Sequence, residues 1–300
     1  MSESAKPRMA VIGLGSMGFG MATSLRRAGF EVTGCDVSAD SVARFAADGG
    51  KGAKTPAEAA KDADIVVSVV VNAAQTEAIL FGAGGVAETL AKGAVFISSA
   101  TMDPDVARRL AKQLEATGRH YLDAPISGGA QRAAQGELTI LASGSPAAFA
   151  KARPALDAMA AKLYELGDAA GQGAAFKMIN QLLAGVHIAA AAEAMALGIR
   201  AGANPEQLYD VICNSAGGSW MFQNRVAHIL AGDYTPLSAV NIFVKDLGIV
   251  LEAGRDVKAA LPLAALAHQM FLAVSGQGGG ADDDSQVIRA YRALNAPSGR

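Results

Sequence analysis

Residues 9–36 read MAVIGLGSMGFGMATSLRRAGFEVTGCD. The apolar run Met9–Ile12 predicts a strand, and it passes straight into Gly13-Leu14-Gly15-Ser16-Met17-Gly18, a G-x-G-x-x-G loop. A helical stretch over 16–28 stops at Gly29, and a second strand over 31–35 ends on Asp36. A lone glycine triplet says little, but strand, loop, helix, strand and terminal acid in this order describe a dinucleotide-binding βαβ unit. Gly13 allows the tight turn, Gly15 lets the backbone approach a pyrophosphate, and Gly18 lets the helix pack closely on the sheet. Around Leu14, Ser16 and Met17 the helix start offers unpaired N–H groups and the positive end of its dipole to phosphates. Asp36 stands where a carboxylate accepts hydrogen bonds from the adenosine ribose. It repels a 2′-phosphate, and the next arginine is Arg44, so NAD is expected and NADP disfavoured.

Outward from this unit, the first half keeps alternating. Strands are expected at 65–71, 95–98, 121–124, 139–143 and 162–166, with a helix over 104–117 that begins at a proline and stops before Gly118. After Gly167 the pattern changes. Residues 173–201 contain no proline, are rich in alanine, and predict one continuous helix of roughly 40 Å. Asn204-Pro205 reads as an N-cap followed by proline at the first helical position. Further helices are expected near 219–231, 239–253, 263–274 and 285–294. The fold class is a Rossmann-type doubly wound α/β sheet, then a long bridging helix and an all-α C-terminal domain. The expected domains are 1–168 and 169–300.

Composition narrows the function classes. The 300 residues carry a net charge of −2, with mixed signs and no basic stripe, which excludes nucleic acid as the expected partner. The longest apolar stretch, 182–199, is marginal for a membrane span and holds His187 and Glu193, so a buried helix is expected and no membrane partner. Two cysteines, Cys35 and Cys213, build no disulfide framework, and a reducing cytoplasm is the expected compartment. No signal peptide is expected in residues 1–8. His120, His187, His228 and His268 lack metal-ligand spacing, so no metal is expected; His187 reads as a packed or interface residue. Asp282-Asp283-Asp284 reads as a solvated helix N-terminus. The run Gly217-Gly218-Ser219-Trp220-Met221-Phe222 reads as core, with a substrate cleft as the second option.

The start of the long helix carries chemistry. Lys177, Asn180 and Gln181 stand at i, i+3 and i+4 and project from one face, among Phe176, Met178, Ile179, Leu182 and Leu183. Burial and the helix N-terminus both disfavour a charged lysine there, as a general base working near neutral pH requires. A lysine that snorkels to solvent is the competing reading, and spacing alone does not choose between them. Ser127-Gly128-Gly129 is a turn whose N–H groups and hydroxyl suit a carboxylate.

Four ordered segments resemble the β-hydroxyacid dehydrogenase family, which includes 3-hydroxyisobutyrate dehydrogenase and tartronate semialdehyde reductase. Gly13–Gly18 is similar to its G-x-G-x-M-G loop. Asp123-Ala124-Pro125-Ile126-Ser127-Gly128-Gly129 resembles its D-x-P-x-S-G-G segment. Residues 171–181 resemble its G-x-G-x-x-x-K segment, and Phe243-Val244-Lys245-Asp246-Leu247 its K-D-L segment. The resemblance implies Lys177 as general acid/base, Ser127, Gly128 and Gly129 on the substrate carboxylate, Lys245 toward the cofactor, and Val70, Val71 and Thr101 beside the nicotinamide. One position departs: many members carry Asn four residues after the lysine, where this chain has Gln181 after Asn180. Either amide is left as the substrate's partner.

The run 180–187 and Ser219-Trp220-Met221-Phe222 look most like the L-threonate dehydrogenase branch, whose members oxidise the 2-hydroxyl of a four-carbon sugar acid. Asn180, Gln181, Ser219, Gln223 and Asn224 are candidates for its extra hydroxyls. 3-Hydroxyisobutyrate or tartronate semialdehyde are the alternatives within the family. An imine reductase, which shares the fold but usually lacks the lysine, and a non-catalytic NAD-binding module are the alternatives outside it. The resemblance also implies homodimers or homotetramers.

Overall fold

The computed structural model describes residues 6–295. In chain order its first part holds β1 (Met9–Ile12), α1 (Ser16–Arg27), β2 (Val32–Cys35), α2 (Ala39–Ala47), β3 (Lys51–Ala53), α3 (Pro56–Ala60), β4 (Ile65–Ser68), α4 (Ala73–Phe81), α5 (Val86–Thr89) and β5 (Val95–Ser98). There follow α6 (Pro104–Glu115), β6 (His120–Asp123), β7 (Ile126–Ser127), α7 (Gly129–Gln135), β8 (Leu138–Ala142), α8 (Pro146–Met159) and β9 (Ala160–Glu165). Helices then take over: α9 (Gln172–Arg200), α10 (Pro205–Cys213), α11 (Trp220–Ala231), α12 (Val240–Asp256), α13 (Pro262–Val274) and α14 (Ile288–Leu294).

β1, β4 and β5 are buried at every residue, because helices cover both faces of the sheet and leave no polar side to alternate with. The parallel order is β3-β2-β1-β4-β5-β6, which reverses direction between β1 and β4. The loops leaving those two strands therefore diverge and open a crevice at the carboxyl edge. Val11, Val67 and Ile97 pack on one face and Ala10, Val66 and Phe96 on the other.

The strands expected at 139–143 and 162–166 do form, as β8 and β9, but outside the main sheet. They join β7 in a second sheet of order β7-β8-β9, antiparallel on one side and parallel on the other. The chain leaves β6 at Pro125, which has no N–H to extend a ladder, and starts again at β7. Neither β3 nor β7 was expected: Lys51-Gly52-Ala53 lacks β-branched residues, and the two residues of β7 are too few to show a period.

Two units divide the chain, Met1–Lys177 and Met178–Arg300. The division falls within the single helix α9, whose first turn belongs to the N-terminal unit; Ala174 is part of that unit's core. In the second unit the caps follow the sequence: Asn204 accepts the Gln207 N–H at the start of α10, and Ser219 the Phe222 N–H at the start of α11. Phe243 and Phe271 stack with centroids 5.2 Å apart.

The solvated helix start expected at Asp282–Asp284 is overturned. Asp283 and Asp284 are fully buried. Asp284 accepts Arg225 Nε at 2.5 Å and a second guanidinium nitrogen at 3.1 Å, while Asp283 accepts the Leu237 and Ser285 N–H groups and the Ser285 hydroxyl. A carboxylate leaves water only with partners of this kind, and all but the serine come from far along the chain.

Candidate active site

At the carboxyl edge the glycine loop does what its spacing requires. Gly13 has φ +96°, and a Cβ there would meet the Val69 carbonyl at 2.2 Å; a Cβ on Gly18 would meet the Gly13 carbonyl at 1.8 Å. At Gly15 a Cβ would meet nothing within 4 Å, and Gly15 and Ser16 are exposed. α1 carries no side-chain cap and no acid in its first turn, so its leading N–H groups have no internal anion. A pyrophosphate fits this cradle in shape and in charge. Asp36 lies just past β2, where Oδ2 accepts the Leu14 N–H at 2.6 Å and Oδ1 the Ser38 N–H at 2.8 Å. Val37 beside it is fully exposed, and Arg44 is drawn over the Phe19 ring, 4.1 Å from its centroid. Val70 and Val71 follow β4, and Thr101 follows β5, on the same edge of the sheet.

Asp123 ends β6 on that edge, in register with Ser98, which is in register with Ser68. Its Oδ2 accepts the Gly171 N–H at 2.9 Å, the Ala174 N–H at 2.8 Å and the Ser143 hydroxyl at 3.2 Å, and Ser143 Oγ accepts the Gly173 N–H at 2.9 Å. Burial pushes this carboxyl up to about 6; the two N–H groups, the Ser143 hydroxyl and the Arg108 charge pull the other way. Four residues on, Ser127 and Gly128 are half-buried and Gly129 is exposed. Gly128 (φ +137°) and Gly129 (φ +79°) hold conformations closed to other residues, and α7 begins there without a side-chain cap or an acid in its first turn. Lys177 is buried, with 8% of its surface exposed, so it does not snorkel to solvent.

The amides after Lys177 are now distinguishable. Gln181 is buried; its Nε2 donates to Asp246 Oδ2 at 2.6 Å and its Oε1 accepts from Asn180 Nδ2 at 3.0 Å. Asp246 also pairs with Lys245, 2.5 Å away. Asn180 is exposed. Gln181 is thus hydrogen-bonded to Asp246 and Asn180, and Asn180 is the exposed amide of the two. Of the other polar candidates, Ser219 caps α11 and Asn224 Oδ1 accepts from Arg225, whereas Gln223 is exposed. Trp220 is 56% exposed and Phe222 is core.

Residues 8–167 match the family described as the NAD-binding domain of 6-phosphogluconate dehydrogenase. Residues 171–291 match the family described as NAD-binding of NADP-dependent 3-hydroxyisobutyrate dehydrogenase. L-threonate dehydrogenase of Cupriavidus necator is 56% identical over 96% of this chain and 97% of its own length. The chain belongs to the β-hydroxyacid dehydrogenase family. As a β-hydroxyacid dehydrogenase it is an oxidoreductase with an NAD(P)-binding domain and a small-molecule substrate. It groups with the L-threonate branch, for L-threonate dehydrogenase of Pectobacterium atrosepticum is also 47% identical over 99% of this chain and 98% of its own. A solved structure described as 3-hydroxyisobutyrate dehydrogenase from Salmonella typhimurium superposes with a TM-score of 0.91 at 47% identity, covering 95% of this chain and 99% of that one.

Asp123 and Asp246 each stood inside a quoted segment of the sequence, yet neither carried a role there. Their partners, Gly171 and Ala174 for one and Gln181 for the other, lie too far along the chain for spacing to reveal.

Proposed function

We propose that this β-hydroxyacid dehydrogenase oxidises L-threonate at its 2-hydroxyl to the 2-oxo acid, with NAD as acceptor and Lys177 as general base. The observation that carries the reading is Lys177 itself: a lysine with 8% of its surface exposed, in the second turn of a helix whose first turn is fastened by Asp123. A lysine is seldom buried without use.

The N–H groups at the start of α1 take the pyrophosphate of NAD, and Asp36 takes the adenosine ribose. Val70, Val71 and Thr101 line the nicotinamide, and Lys245 serves the cofactor on the strength of the resemblance. When bound, the nicotinamide supplies the hydride acceptor. Ser127, Gly128 and Gly129 hold the substrate carboxylate through backbone N–H groups and one hydroxyl. Lys177 Nζ takes the proton of the 2-hydroxyl as the hydrogen on the same carbon departs with its electron pair, leaving a carbonyl. In reduction Lys177 returns the proton. Asn180 and Gln223, outward-facing amides, suit the further hydroxyls of a sugar acid, which 3-hydroxyisobutyrate lacks. The chain works as a homodimer or homotetramer.

The test follows reduced cofactor with NAD and with NADP against L-threonate, D-threonate, D-glycerate and 3-hydroxyisobutyrate. L-threonate with NAD is expected to be the fastest pair, and Lys177→Ala to lower turnover by about 100-fold or more. Wild-type turnover in Lys177→Ala rejects the base; preference for 3-hydroxyisobutyrate rejects the substrate and leaves the base standing.

A further inference from the structure

The N-terminus of α9 is held in an unusual way. Helix starts are ordinarily capped by a polar residue adjacent in the chain and open to water. Here the cap comes from 48 and 51 residues away, and the capping carboxylate is 1% exposed. α9 has no acid of its own in its first turn. The backbone is shaped to admit the distant one. Gly171 has φ +105°, and a Cβ on Gly173 would meet the Leu141 carbonyl at 2.3 Å and the Asp123 carboxylate at 3.1 Å. The two glycines that precede the lysine are therefore there to let helix backbone come up against Asp123 and Ser143.

Asp123 is also the residue from which the chain runs, through Pro125, into Ser127-Gly128-Gly129. One residue is thus tied to both halves of the proposed chemistry, one through its carboxylate and the other through the chain. Its strand leads into the carboxylate-binding turn, and its oxygen grips the helix three residues before Lys177, about 4.5 Å along the axis. A displacement of about 1 Å in a reacting group costs on the order of 100-fold in rate, so a fastening of this kind has catalytic weight.

We propose that Asp123, assisted by Ser143, is a positioning residue of the reaction: it fixes the first turn of α9 to the end of β6 and so sets Lys177 against the substrate held at Ser127-Gly128-Gly129. This rests on the reading of Lys177 as the base. A purely structural cap would affect folding and leave the geometry of proton transfer alone. A positioning cap acts on the chemical step in folded enzyme.

The experiment compares wild type, Asp123→Asn, Ser143→Ala and Lys177→Ala, using NAD and whichever acid of the panel the wild type oxidises, protiated and deuterated at the reacting carbon. Measured are kcat, KM, the deuterium isotope effect on kcat, the Kd for NAD and the melting temperature. Asp123→Asn is expected to lose about 100-fold in kcat, to keep its Kd for NAD within about twofold because the glycine loop is untouched, and to show a larger isotope effect as chemistry becomes slower than release. Ser143→Ala keeps the Asp123 carboxylate and its Gly171 and Ala174 bonds, loses the hydroxyl's bonds to Asp123 and Gly173, and is expected to fall between wild type and Asp123→Asn; should Asp123→Asn fail to fold, Ser143→Ala decides the matter by the same readouts. Folded variants with wild-type kcat and isotope effect overturn the proposal. So does a loss of kcat that tracks melting temperature and NAD affinity at an unchanged isotope effect. If Lys177→Ala is silent while both other variants match wild type, the positioning role alone is wrong; if Lys177→Ala is active, the base assignment has failed.

Discussion

At Asp36 a single carboxylate accepts the Leu14 and Ser38 amides at 2.6 and 2.8 Å, so the acid proposed for the ribose also ties the glycine loop to the end of β2. Each oxygen still has a lone pair for a ribose hydroxyl, and Arg44, the next arginine in the chain, lies over Phe19. Asparagine at 36 has one accepting oxygen and an NH2 that opposes one of the two backbone N–H groups. Asp36→Asn is therefore expected to weaken NAD by about 10- to 100-fold, the worth of a charge-assisted hydrogen bond, and NADP by less, because the repulsion of the 2′-phosphate goes with the charge. Apparent KM values for both cofactors check this; an unchanged NAD-to-NADP ratio removes Asp36 from the discrimination. What was legible at this scale was local. Gly13, Gly18 and Asp36 declare themselves because their geometry depends on neighbours within one βαβ unit. Asp123, Asp246 and Asp284 did not, and for Asp284 the sequence pointed the wrong way. A charged residue's burial is decided by the partner it meets, and Arg225 meets Asp284 only after the helices have packed.

At the scale of the element, α9 was readable in extent from its composition, with the expected 173–201 against Gln172–Arg200 in the structure. How its start is anchored was not readable, since that depends on β6 and β8. The anchor costs stability. Burial raises Asp123 from 3.8 to about 6, so in a pH rise the unfolded chain gives up this proton before the folded one. The contribution of Asp123 to folding is fully present below about 3.8 and is lost as pH passes through 6, a change of about 3 kcal/mol for roughly two units. The cost at neutral pH is consistent with a carboxylate retained for what it holds in place. Asp123→Asn carries no such titration. The difference in unfolding free energy between wild type and Asp123→Asn, from urea titrations at pH 4, 5, 6 and 7, is expected to move against the wild type by about 2 kcal/mol across that range, the remainder falling below pH 4. A difference that stays flat with pH means that Asp123 titrates alike in both states, and the strain assigned to the anchor is then absent.

At the scale of the whole molecule, α9 shows apolar side chains on more than its core face. Ala184, Ile188, Ala191, Ala192 and Met195 are buried within the second unit. Phe176, Ile179, Leu183 and Leu197 are 54%, 54%, 50% and 65% exposed, and His187 and Ala190 are exposed between them. These positions recur at helical spacing and form one stripe. The helix is long and apolar enough to cross a membrane by composition, with a mean hydropathy of 1.8, yet 44% of that window is already buried in protein. In the assembly proposed above, a second copy of the chain would cover the remaining stripe, since a twofold pairing sets the same patch against itself. Covering each half-exposed side chain is worth on the order of 1 kcal/mol, and two copies contribute the stripe twice. Leu183→Asp combined with Leu197→Asp places a charge at two points of the stripe and alters no residue of the proposed site. Light scattering behind size exclusion is expected to find the wild type as a dimer or tetramer at micromolar concentration and the double variant as a smaller species that retains NAD binding. A wild type that stays monomeric at every concentration rejects the assembly. An oligomer that survives both aspartates moves the interface off α9, and the exposed Leu263 and Leu266 of α13 become the next positions to charge.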